Sequence, residues 1–298
     1  MLRILLTGAT GQVGWELRRS LSPLGSIVSP SRAELSLSDS DSIRSSVNAV
    51  RPHLIVNAAA YTAVDRAESD YEAALQANGT APGVLGEEAR RIGAALIHYS
   101  TDYVFNGLAV TPYKEDDPVD PVNAYGRSKL AGEQAIASAA DAYLILRTSW
   151  VYGPRGHNFL LTMLRLGGER PELRIVADQV GSPTSSRVLG DLTALVVSRM
   201  LASDPRSFVD RLRERRGLYN ATCSGQVSWH GFAQKIFELR GAGPAPALVP
   251  ITSGEYPTPA RRPAYSVLST GKLAEVFQLN PPDWEIALTR VMEELNPS

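Results

Sequence analysis

The sequence of 298 residues contains one cysteine, Cys223, and four histidines that show no metal-ligand spacing. One thiol excludes an internal disulfide framework and a multi-cysteine zinc site, so we expect no metal site and interpret Cys223 as a small, partly buried residue. No run of about 18 apolar residues is present, so no membrane-spanning helix is expected. The N-terminal apolar segment is too short for a signal peptide, which predicts a cytoplasmic protein.

Charge of one sign is not in excess, because 30 Lys and Arg residues face 31 Asp and Glu residues. The resulting net charge of −1 argues against a strongly basic protein that binds nucleic acid. A local basic pocket for an anionic small molecule remains compatible with this balance. The hydrophobic fraction of 44% is typical of a globular protein, and the length allows one large or two smaller domains.

Short apolar runs alternate with helical patterns in the first half of the chain. The predicted buried strands are residues 3–6, 27–28, 54–57, 95–99 and 143–147. Helices are predicted between them, the longest over residues 71–92. Such alternation is typical of βαβ units and predicts an α/β fold with a Rossmann-like, doubly wound parallel sheet.

The alternation of apolar runs and helical patterns is less regular in the second half of the chain. This predicts a smaller, irregular α/β part that caps the ligand crevice. Residues 1–152 and about 184–216 are predicted to form the dinucleotide-binding domain. Residues of about 153–183 and 217–298 are predicted to form a substrate domain. The segment 241–263 is rich in Gly, Pro and Ala and is interpreted as a loop.

Gly8, Gly11 and Gly14 form a G-x-x-G-x-x-G pattern between the first strand and the first helix. Glycines in that context allow a tight turn and let the backbone approach a pyrophosphate, which the amide groups of the helix N-terminus bind. Gln12 and Val13 lie in the same loop and are candidate cofactor contacts. The alternative is a tight turn that binds no ligand.

The residues after the second strand indicate which dinucleotide is bound. A carboxylate there would bind the ribose hydroxyls of NAD, whereas an arginine favours the 2′-phosphate of NADP. No acid follows the strand directly, and Arg32 is well placed for a phosphate. We therefore expect NADPH to be preferred over NADH; the alternative is that Arg32 is a solvated surface residue and both cofactors work. The other candidate cofactor contacts after the second and third strands are Ser36, Leu37, Ala59, Ala60 and Tyr61.

Tyr125 and Lys129 form a Y-x-x-x-K motif on a predicted helix, where residues four apart share one face. A free tyrosine has a pKa of about 10, and a nearby ammonium lowers it. Such a tyrosine can donate a proton to a carbonyl oxygen as a hydride reaches the carbon. A solvated pair of side chains is the alternative for the motif alone, but together with the glycine loop it predicts a reductase.

Thr101 and Asp102 end the strand that precedes this helix, and the C-terminal ends of parallel strands line the ligand crevice. Thr101 can hydrogen-bond the substrate oxygen and adjust the tyrosine. Asp102 can reach a sugar hydroxyl or serve in a turn. His98 lies inside the strand and is interpreted as a core residue, not as a catalytic base.

Longer motifs accompany the glycine loop and the Y-x-x-x-K motif, and together they span nearly the whole chain. They are residues 56–65, 98–105, 147–152, 178–184 and 256–263. These segments resemble the dTDP-4-dehydrorhamnose reductase family of extended short-chain dehydrogenases/reductases. The resemblance implies NADPH- or NADH-dependent reduction of the C4 ketone of dTDP-4-dehydro-β-L-rhamnose. That reaction is the last step of dTDP-L-rhamnose synthesis, which serves lipopolysaccharide and O-antigen formation.

The resemblance also implies roles for the residues of the Y-x-x-x-K motif and of the preceding strand. Tyr125 is the proton donor, and Lys129 binds the nicotinamide ribose and lowers the pKa of Tyr125. Thr101 tunes the tyrosine, and Thr101, Asp102 and Trp150 contact the sugar.

Two further residues are candidate substrate contacts. Arg262 lies in a proline-rich loop and is a candidate for the diphosphate, because a guanidinium binds phosphate oxygens in pairs. Asn158 is a candidate for the same substrate region.

One departure from the family concerns metal binding. Some relatives dimerise through Mg²⁺ held by glutamates, and Glu16 and Glu294 match two of those positions. The third position falls near Arg187, and a cation cannot ligate a metal. We therefore expect no structural Mg²⁺, an ion pair between Arg187 and a glutamate, and a monomer or weak homodimer whose partner is a dTDP-sugar.

Two alternatives share the fold and the motifs. A non-catalytic NADP-binding subunit, like the regulatory subunit of methionine adenosyltransferase, would bind cofactor without turnover. A sugar-nucleotide epimerase would recycle its cofactor and consume no NADPH. The intact Thr101, Tyr125 and Lys129 favour an enzyme over the first alternative, and the segments 147–152 and 178–184 argue against the second by resemblance.

Overall fold

The computed structural model describes residues 1–201, 205–241 and 245–296, in which strands and helices alternate. The strands are β1 (Leu2–Thr7), β2 (Gly25–Val28), β3 (Leu54–Asn57), β4 (Ala95–Thr101), β5 (Tyr143–Thr148), β6 (Val151–Tyr152), β7 (Glu172–Val176), β8 (Val180–Gly181), β9 (Thr184–Ser185), β10 (Gly217–Asn220), β11 (Val227–Ser228) and β12 (Ala247–Ile251). The helices are α1 (Gln12–Leu21), α2 (Ser40–Val50), α3 (Tyr71–Leu75), α4 (Ala81–Ile92), α5 (Ala124–Ala139), α6 (Phe159–Glu169), α7 (Ser186–Met200), α8 (Pro205–Glu214), α9 (Trp229–Leu239), α10 (Gly271–Phe277) and α11 (Trp284–Leu295).

Six parallel strands form the central sheet in the order β10-β5-β4-β3-β1-β2. The chain moves from β1 to the edge strand β2 and then returns to the other side of β1. The strand order therefore reverses between β1 and β3, and ligands bind beyond the carboxyl ends of the strands at such a reversal. The predicted Rossmann-like, doubly wound fold is confirmed.

Helices cover both faces of this sheet. Leu17 of α1 and Leu189 of α7 pack on one face, whereas Ile43 of α2 and Leu85 of α4 pack on the other. All four residues of β3 are buried, as expected for a parallel strand between two helical layers. The two apolar layers hold the strands in place, so the loops at the carboxyl edge start from rigid positions.

A second hydrophobic cluster lies between α6, α9, α11 and β7, and it includes Phe232, Trp284 and the buried Cys223. We propose that this cluster is the core of the substrate part. We propose a boundary other than the predicted one at about 216, because β10 pairs with β5 and α10 packs on the sheet core through Leu273 and Phe277. The proposed cofactor part therefore includes β10 and α10.

Part of the segment predicted as a loop over 241–263 is a strand. β12 pairs in parallel with β7 from Ala247 beside Glu172 to Ile251 beside Val176. Pro250 is tolerated within β12 because a strand with one partner leaves its other edge without ladder bonds. Residues 242–244 of the segment lie outside the described residues. In the described part of the chain, no helix is long and apolar enough to cross a membrane.

The long helix predicted over 71–92 is interrupted by a π-helical segment, Gln76–Thr80. Pro82 has no N–H to donate to the carbonyl of Asn78, so regular α-helical bonding fails there. The Asn78 side chain turns inward and bonds the Ser128 hydroxyl and the backbone of Tyr61. Gly132 of α5 permits this approach, because a Cβ at that position would lie 2.0 Å from the Asn78 carbonyl oxygen.

We expect Gly132→Ala to lower the free energy of unfolding by about 1–3 kcal/mol, because the added methyl group collides with backbone that cannot move easily. Gly168→Ala in α6 is the matched control, since a Cβ there meets nothing within 4 Å. That control should be neutral or gain up to about 1 kcal/mol from helix propensity. Urea unfolding followed by circular dichroism measures both, and equal midpoints for the two variants would contradict this packing.

Candidate active site

The glycine loop lies at the carboxyl edge where the strand order reverses. Gly8 has a φ of 67°, and a Cβ on it would lie 2.6 Å from the backbone nitrogen of Ala59. A Cβ on Gly14 would lie 2.0 Å from the carbonyl oxygen of Gly8. Gly11 stands at the N-cap of α1 and offers no side chain to the amide groups of its first turn. The loop is a cradle of backbone that fits the pyrophosphate of a dinucleotide.

The other residues predicted to contact the cofactor divide into two groups. Gln12 and Val13 begin α1, and Ala59 and Ala60 follow β3, so these four lie beside the glycine loop. Tyr61 follows, and the side-chain amide of Asn78 bonds both its N–H and its carbonyl at 2.9 Å.

The second group, Arg32, Ser36 and Leu37, lies between β2 and α2. Arg32 is exposed and accessible to a charged ligand. The Ser36 N–H donates to the Ser42 hydroxyl at 3.0 Å, and Leu37 packs on the core below α2. Ser36 and Leu37 thus fix the loop between β2 and α2, in which Arg32 is exposed.

Tyr125 and Lys129 lie in the first two turns of α5, whose start is capped by Asn123 through a 2.7 Å bond from the Gly126 N–H. Lys129 is 2% exposed, and its Nζ lies 2.6 Å from the Tyr99 carbonyl oxygen and 3.2 Å from His98 Nε2. Burial lowers the pKa of Lys129 to about 8, and the charge of Glu133 opposes that shift.

The phenol of Tyr125 does not have the lowered pKa that the sequence predicted. Burial raises its pKa and the Asp102 charge raises it further, whereas a hydrogen bond with Thr101 lowers it. Lys129 bonds Tyr99 and His98, so its predicted effect on the phenol stays a prediction. Tyr125 is therefore held in the protonated form, which is the form that can donate a proton.

Thr101 ends β4 and Asp102 follows it, next to this helix, and both side chains are buried. The Thr101 hydroxyl donates to Asp102 Oδ1 at 2.9 Å and accepts the Tyr103 N–H at 3.2 Å. Burial raises the pKa of Asp102 to about 7, although hydroxyl groups of Ser266 and Thr101 oppose the shift. The ring of Tyr103, which the sequence reasoning did not assign to the site, packs edge-on against Tyr125 with 5.8 Å between centroids.

Trp150 was expected to offer an indole face to a sugar, and one of its faces is already covered. Its ring stacks on Trp229 at 3.4 Å between centroids with an interplanar angle of 4°. A Cβ on Gly181 would lie 2.5 Å from the same ring, and the Trp150 backbone has a φ of 46°, which is strained for a non-glycine residue. Trp229 starts α9 and carried no sequence signal of its own, because only tertiary packing brings it to Trp150.

Two predicted substrate residues are occupied by contacts within the chain. The Arg262 guanidinium forms a bidentate ion pair with Asp65, at 2.6 Å from Oδ1 and 2.8 Å from Oδ2. The guanidinium donors of Arg262 are therefore engaged by Asp65, whereas a diphosphate contact had been expected. The Asn158 amide donates to Gln12 Oε1 at 2.9 Å and its oxygen caps α6 by accepting the Leu161 N–H at 3.0 Å. This arrangement favours a positioning role for Asn158 over sugar contact.

A groove of about 450 Å³ follows the proline-rich loop over residues 256–262. Asp178 and Gln179 line its opposite side, and Asp178 Oδ1 accepts from the Ser253 hydroxyl at 2.7 Å. Two of the longer motifs in the sequence therefore meet at one groove.

Arg187 bridges two glutamates, as the sequence predicted. Its Nη2 lies 2.9 Å from Glu294 Oε2 and its Nε lies 3.6 Å from Glu16 Oε2. Arg19 also contacts Glu16, at 3.1 Å. Among the described residues, no group of three or more His, Cys, Asp or Glu side chains is arranged to hold a metal.

Known proteins that resemble this chain show which family it belongs to. Residues 2–296 match the family model described as the RmlD substrate binding domain. A dTDP-4-dehydrorhamnose reductase from Burkholderia thailandensis is 47% identical over 306 residues, which cover 99% of this chain and 99% of the relative. This chain belongs to the dTDP-4-dehydrorhamnose reductase family.

Solved structures of the same family share the whole fold. A dTDP-4-dehydrorhamnose reductase from Clostridium acetobutylicum is 35% identical, with a TM-score of 0.90 over 98% of this chain and 99% of that one. The enzyme from Bacillus anthracis in complex with NADP is also 35% identical, with a TM-score of 0.89 over 98% and 99% of the two chains. The central sheet and the second hydrophobic cluster are thus both parts of a reductase-family fold.

We expect Arg187→Met to destabilise the protein by about 1–3 kcal/mol, because it removes a partner from a buried carboxylate. The Glu16 side chain is 4% exposed and would keep only Arg19. Arg165→Met is the control, since Arg165 and Glu169 are 61% and 51% exposed and such pairs contribute little. EDTA should leave the wild-type melting temperature unchanged in a thermal scan, and a clear drop on chelation would reject the role assigned to Arg187.

Proposed function

We propose that this chain is an NADPH-dependent dTDP-4-dehydrorhamnose reductase. It reduces the C4 ketone of dTDP-4-dehydro-β-L-rhamnose and forms dTDP-β-L-rhamnose. The observation that carries the proposal is the grouping of Thr101, Tyr125 and Lys129 beside the glycine loop at one edge of the sheet. The 47% identity to a reductase of that name supports the same substrate.

Tyr125 is the proposed proton donor. The dinucleotide, when bound at the glycine loop, supplies the hydride that reaches the substrate carbon. Tyr125 keeps its proton until then, because burial and the Asp102 carboxylate hold the pKa of the phenol high. Thr101 orients the phenol by hydrogen bonding, and the charge of Lys129, one turn away on the same helix, stabilises the phenolate left after proton transfer.

The proposed substrate-binding region contains one residue assigned to the sugar and two side-chain pairs that fix the surrounding segments. We assign Asp102 to a sugar hydroxyl, because a carboxyl group with a pKa of about 7 can either donate or accept near neutral pH. The Trp150–Trp229 stack forms one wall of the site. The Asp65–Arg262 ion pair joins the segment after β3 to the proline-rich loop and positions that loop.

NADPH is the proposed cofactor, with NADH as a weaker substitute. Arg32 is exposed after β2 and can bind the 2′-phosphate, and no carboxylate directly follows β2 to bind a free ribose hydroxyl. The NADP found with the Bacillus anthracis relative supports the same choice. A cytoplasmic location and a monomer or weak homodimer are also proposed, the latter because Arg187 stands at a position where the family resemblance implies a metal-binding glutamate.

Tyr125→Phe should lower kcat by about 10²–10⁴-fold, because it removes the general acid. Turnover is measured as NADPH oxidation with dTDP-4-dehydro-6-deoxyglucose and a separate 3,5-epimerase that generates the substrate, and the product is identified by mass. Tyr143→Phe on β5 is the control and should keep its activity, whereas both variants should bind NADPH as the wild type does.

The same assay separates the alternatives. An epimerase would convert substrate without net NADPH loss, and a regulatory subunit would bind NADPH without turnover. Epimerase-dependent NADPH loss that yields dTDP-L-rhamnose supports the reductase, and a Tyr125→Phe variant with near wild-type kcat would refute the role of the tyrosine.

Arg32→Ala should lower kcat/KM for NADPH about tenfold or more and leave the value for NADH nearly unchanged, since a hydrogen bond to a charged group contributes about 1.5–3 kcal/mol. Arg90→Ala, an exposed arginine on α4, is the control and should change neither value. Steady-state kinetics with both cofactors measures the ratio. A wild-type ratio that favours NADH would contradict the assignment.

A further inference from the structure

A buried row of polar side chains runs across three neighbouring strands to Lys129. Thr7 of β1 lies beside Asn57 of β3, which lies beside His98 of β4. The Thr7 Oγ1 to Asn57 Oδ1 distance is 2.5 Å, and Asn57 Nδ2 lies 2.9 Å from His98 Nδ1. His98 Nε2 then lies 3.2 Å from Lys129 Nζ, and all four side chains are buried. His98 is therefore more than the core residue that the sequence indicated.

The hydrogen bonds of this row run in one direction. Thr7 Oγ1 accepts the Ala59 N–H at 3.4 Å and donates its own hydrogen to Asn57 Oδ1. The amide nitrogen of Asn57 therefore points at His98 and donates to Nδ1. Burial lowers the pKa of His98, so the ring is neutral and carries a single N–H. With Nδ1 accepting, that hydrogen lies on Nε2.

The Nε2–H group of His98 faces Lys129. An ammonium has three hydrogens and no lone pair, whereas an uncharged amine can accept one hydrogen bond. Nζ keeps its bond to the Tyr99 carbonyl oxygen at 2.6 Å in either form. We propose that Asn57 and His98 are positioning residues that hold Lys129 and favour its uncharged amine form in the protein without bound cofactor.

The other charged and titratable groups near Lys129 leave this effect in place. Glu133 lies one turn further along α5 and favours the ammonium, but Arg147 of β5 binds both Glu133 oxygens, at 2.8 and 2.7 Å. Tyr125, one turn earlier, is protonated because burial raises its pKa. Burial lowers the pKa of Lys129 to about 8, in the direction that the hydrogen-bond row favours.

The consequence is a lysine whose charge responds to its surroundings. Negative charge near Nζ raises the pKa of an amine, and both a Tyr125 phenolate and the phosphates of a dinucleotide carry negative charge. Lys129 would then take up a proton from solvent when such a charge appears and return it to solvent afterwards. This role in turnover rests on the reductase activity proposed above, whereas the resting charge of Lys129 does not.

The sequence makes a direct test practical, because it contains only four lysines, Lys114, Lys129, Lys235 and Lys272, and four histidines. Protein labelled with ¹³C-lysine and ¹⁵N-histidine is titrated by NMR without cofactor, and Lys129→Met and His98→Gln assign the two signals. We expect His98 to carry its hydrogen on Nε2 and Lys129 to titrate near pH 8, against about 10.4 for a lysine free in solution. A His98 hydrogen on Nδ1, or a Lys129 titration near that of a free lysine, would overturn the proposal.

Asn57→Asp should reverse the direction of the hydrogen bonds on both sides of the His98 ring. A carboxylate can only accept, so Nδ1 must carry the hydrogen, Nε2 becomes the acceptor, and the ammonium of Lys129 is favoured. We expect the His98 tautomer to switch and the Lys129 midpoint to rise by about one pH unit or more. Asn78→Asp, which adds a buried carboxylate against α5 away from His98, should leave the tautomer unchanged.

An Asn57→Asp variant that folds and keeps the wild-type tautomer would refute the role of Asn57, and the wild-type spectra decide the proposal if that variant does not fold. No substrate or cofactor enters these measurements. A failed reductase assay with the expected spectra would therefore reject the proposed function and keep this inference. Reductase activity without the expected spectra would keep the proposed function and reject this inference.

Discussion

The parallel register of β1, β3 and β4 is the constraint on which the site depends. It places Thr7, Asn57 and His98 side by side, and the loops that follow these strands leave the sheet at the same edge. The glycine loop and Thr101 are thereby brought to one crevice. A slip of one residue in any of these strands would turn its side chains to the opposite face and break the polar row.

The helix that carries Tyr125 and Lys129 is held in place by close contacts with the sheet and with the segments around it. Gly126 lies so close to the Tyr103 carbonyl oxygen that a Cβ would be 2.2 Å from it, and Gly132 makes the equivalent approach to Asn78. The buried Arg147–Glu133 pair joins the helix to β5. Such a pair costs desolvation energy, but with two hydrogen bonds it fixes the orientation of α5 against the strand. Tyr125 and Lys129 therefore lie on a rigidly held helix.

The substrate side depends on contacts between distant parts of the chain. Asp65 and Arg262 are separated by 197 positions, and the stacked Trp150 and Trp229 come from different elements. Both contacts use side chains that the sequence patterns alone would leave available to a ligand. Because these groups are paired within the chain, they fix the arrangement of this part of the structure in advance.

The sequence by itself determined the features that depend on short-range patterns. Apolar periodicity predicted the α/β class, and glycine spacing predicted the turn at Gly8 and Gly14. The ion pair of Arg187 was expected only from the family resemblance. The helix Trp284–Leu295 depends on such local features, namely its apolar spacing and the preceding Asp283 cap.

Only the tertiary structure decided which side chains become partners. The pairing of Arg262 with Asp65 and the cover over Trp150 join residues far apart in the chain, and no local pattern encodes such pairs. The strand β12 exists because β7 supplies its hydrogen bonds, and the π-helical segment exists because Asn78 finds partners on α5 and at Tyr61. The high pKa of Tyr125 and the low pKa of Lys129 arise from burial, which is a property of the folded chain and not of the motif that contains them.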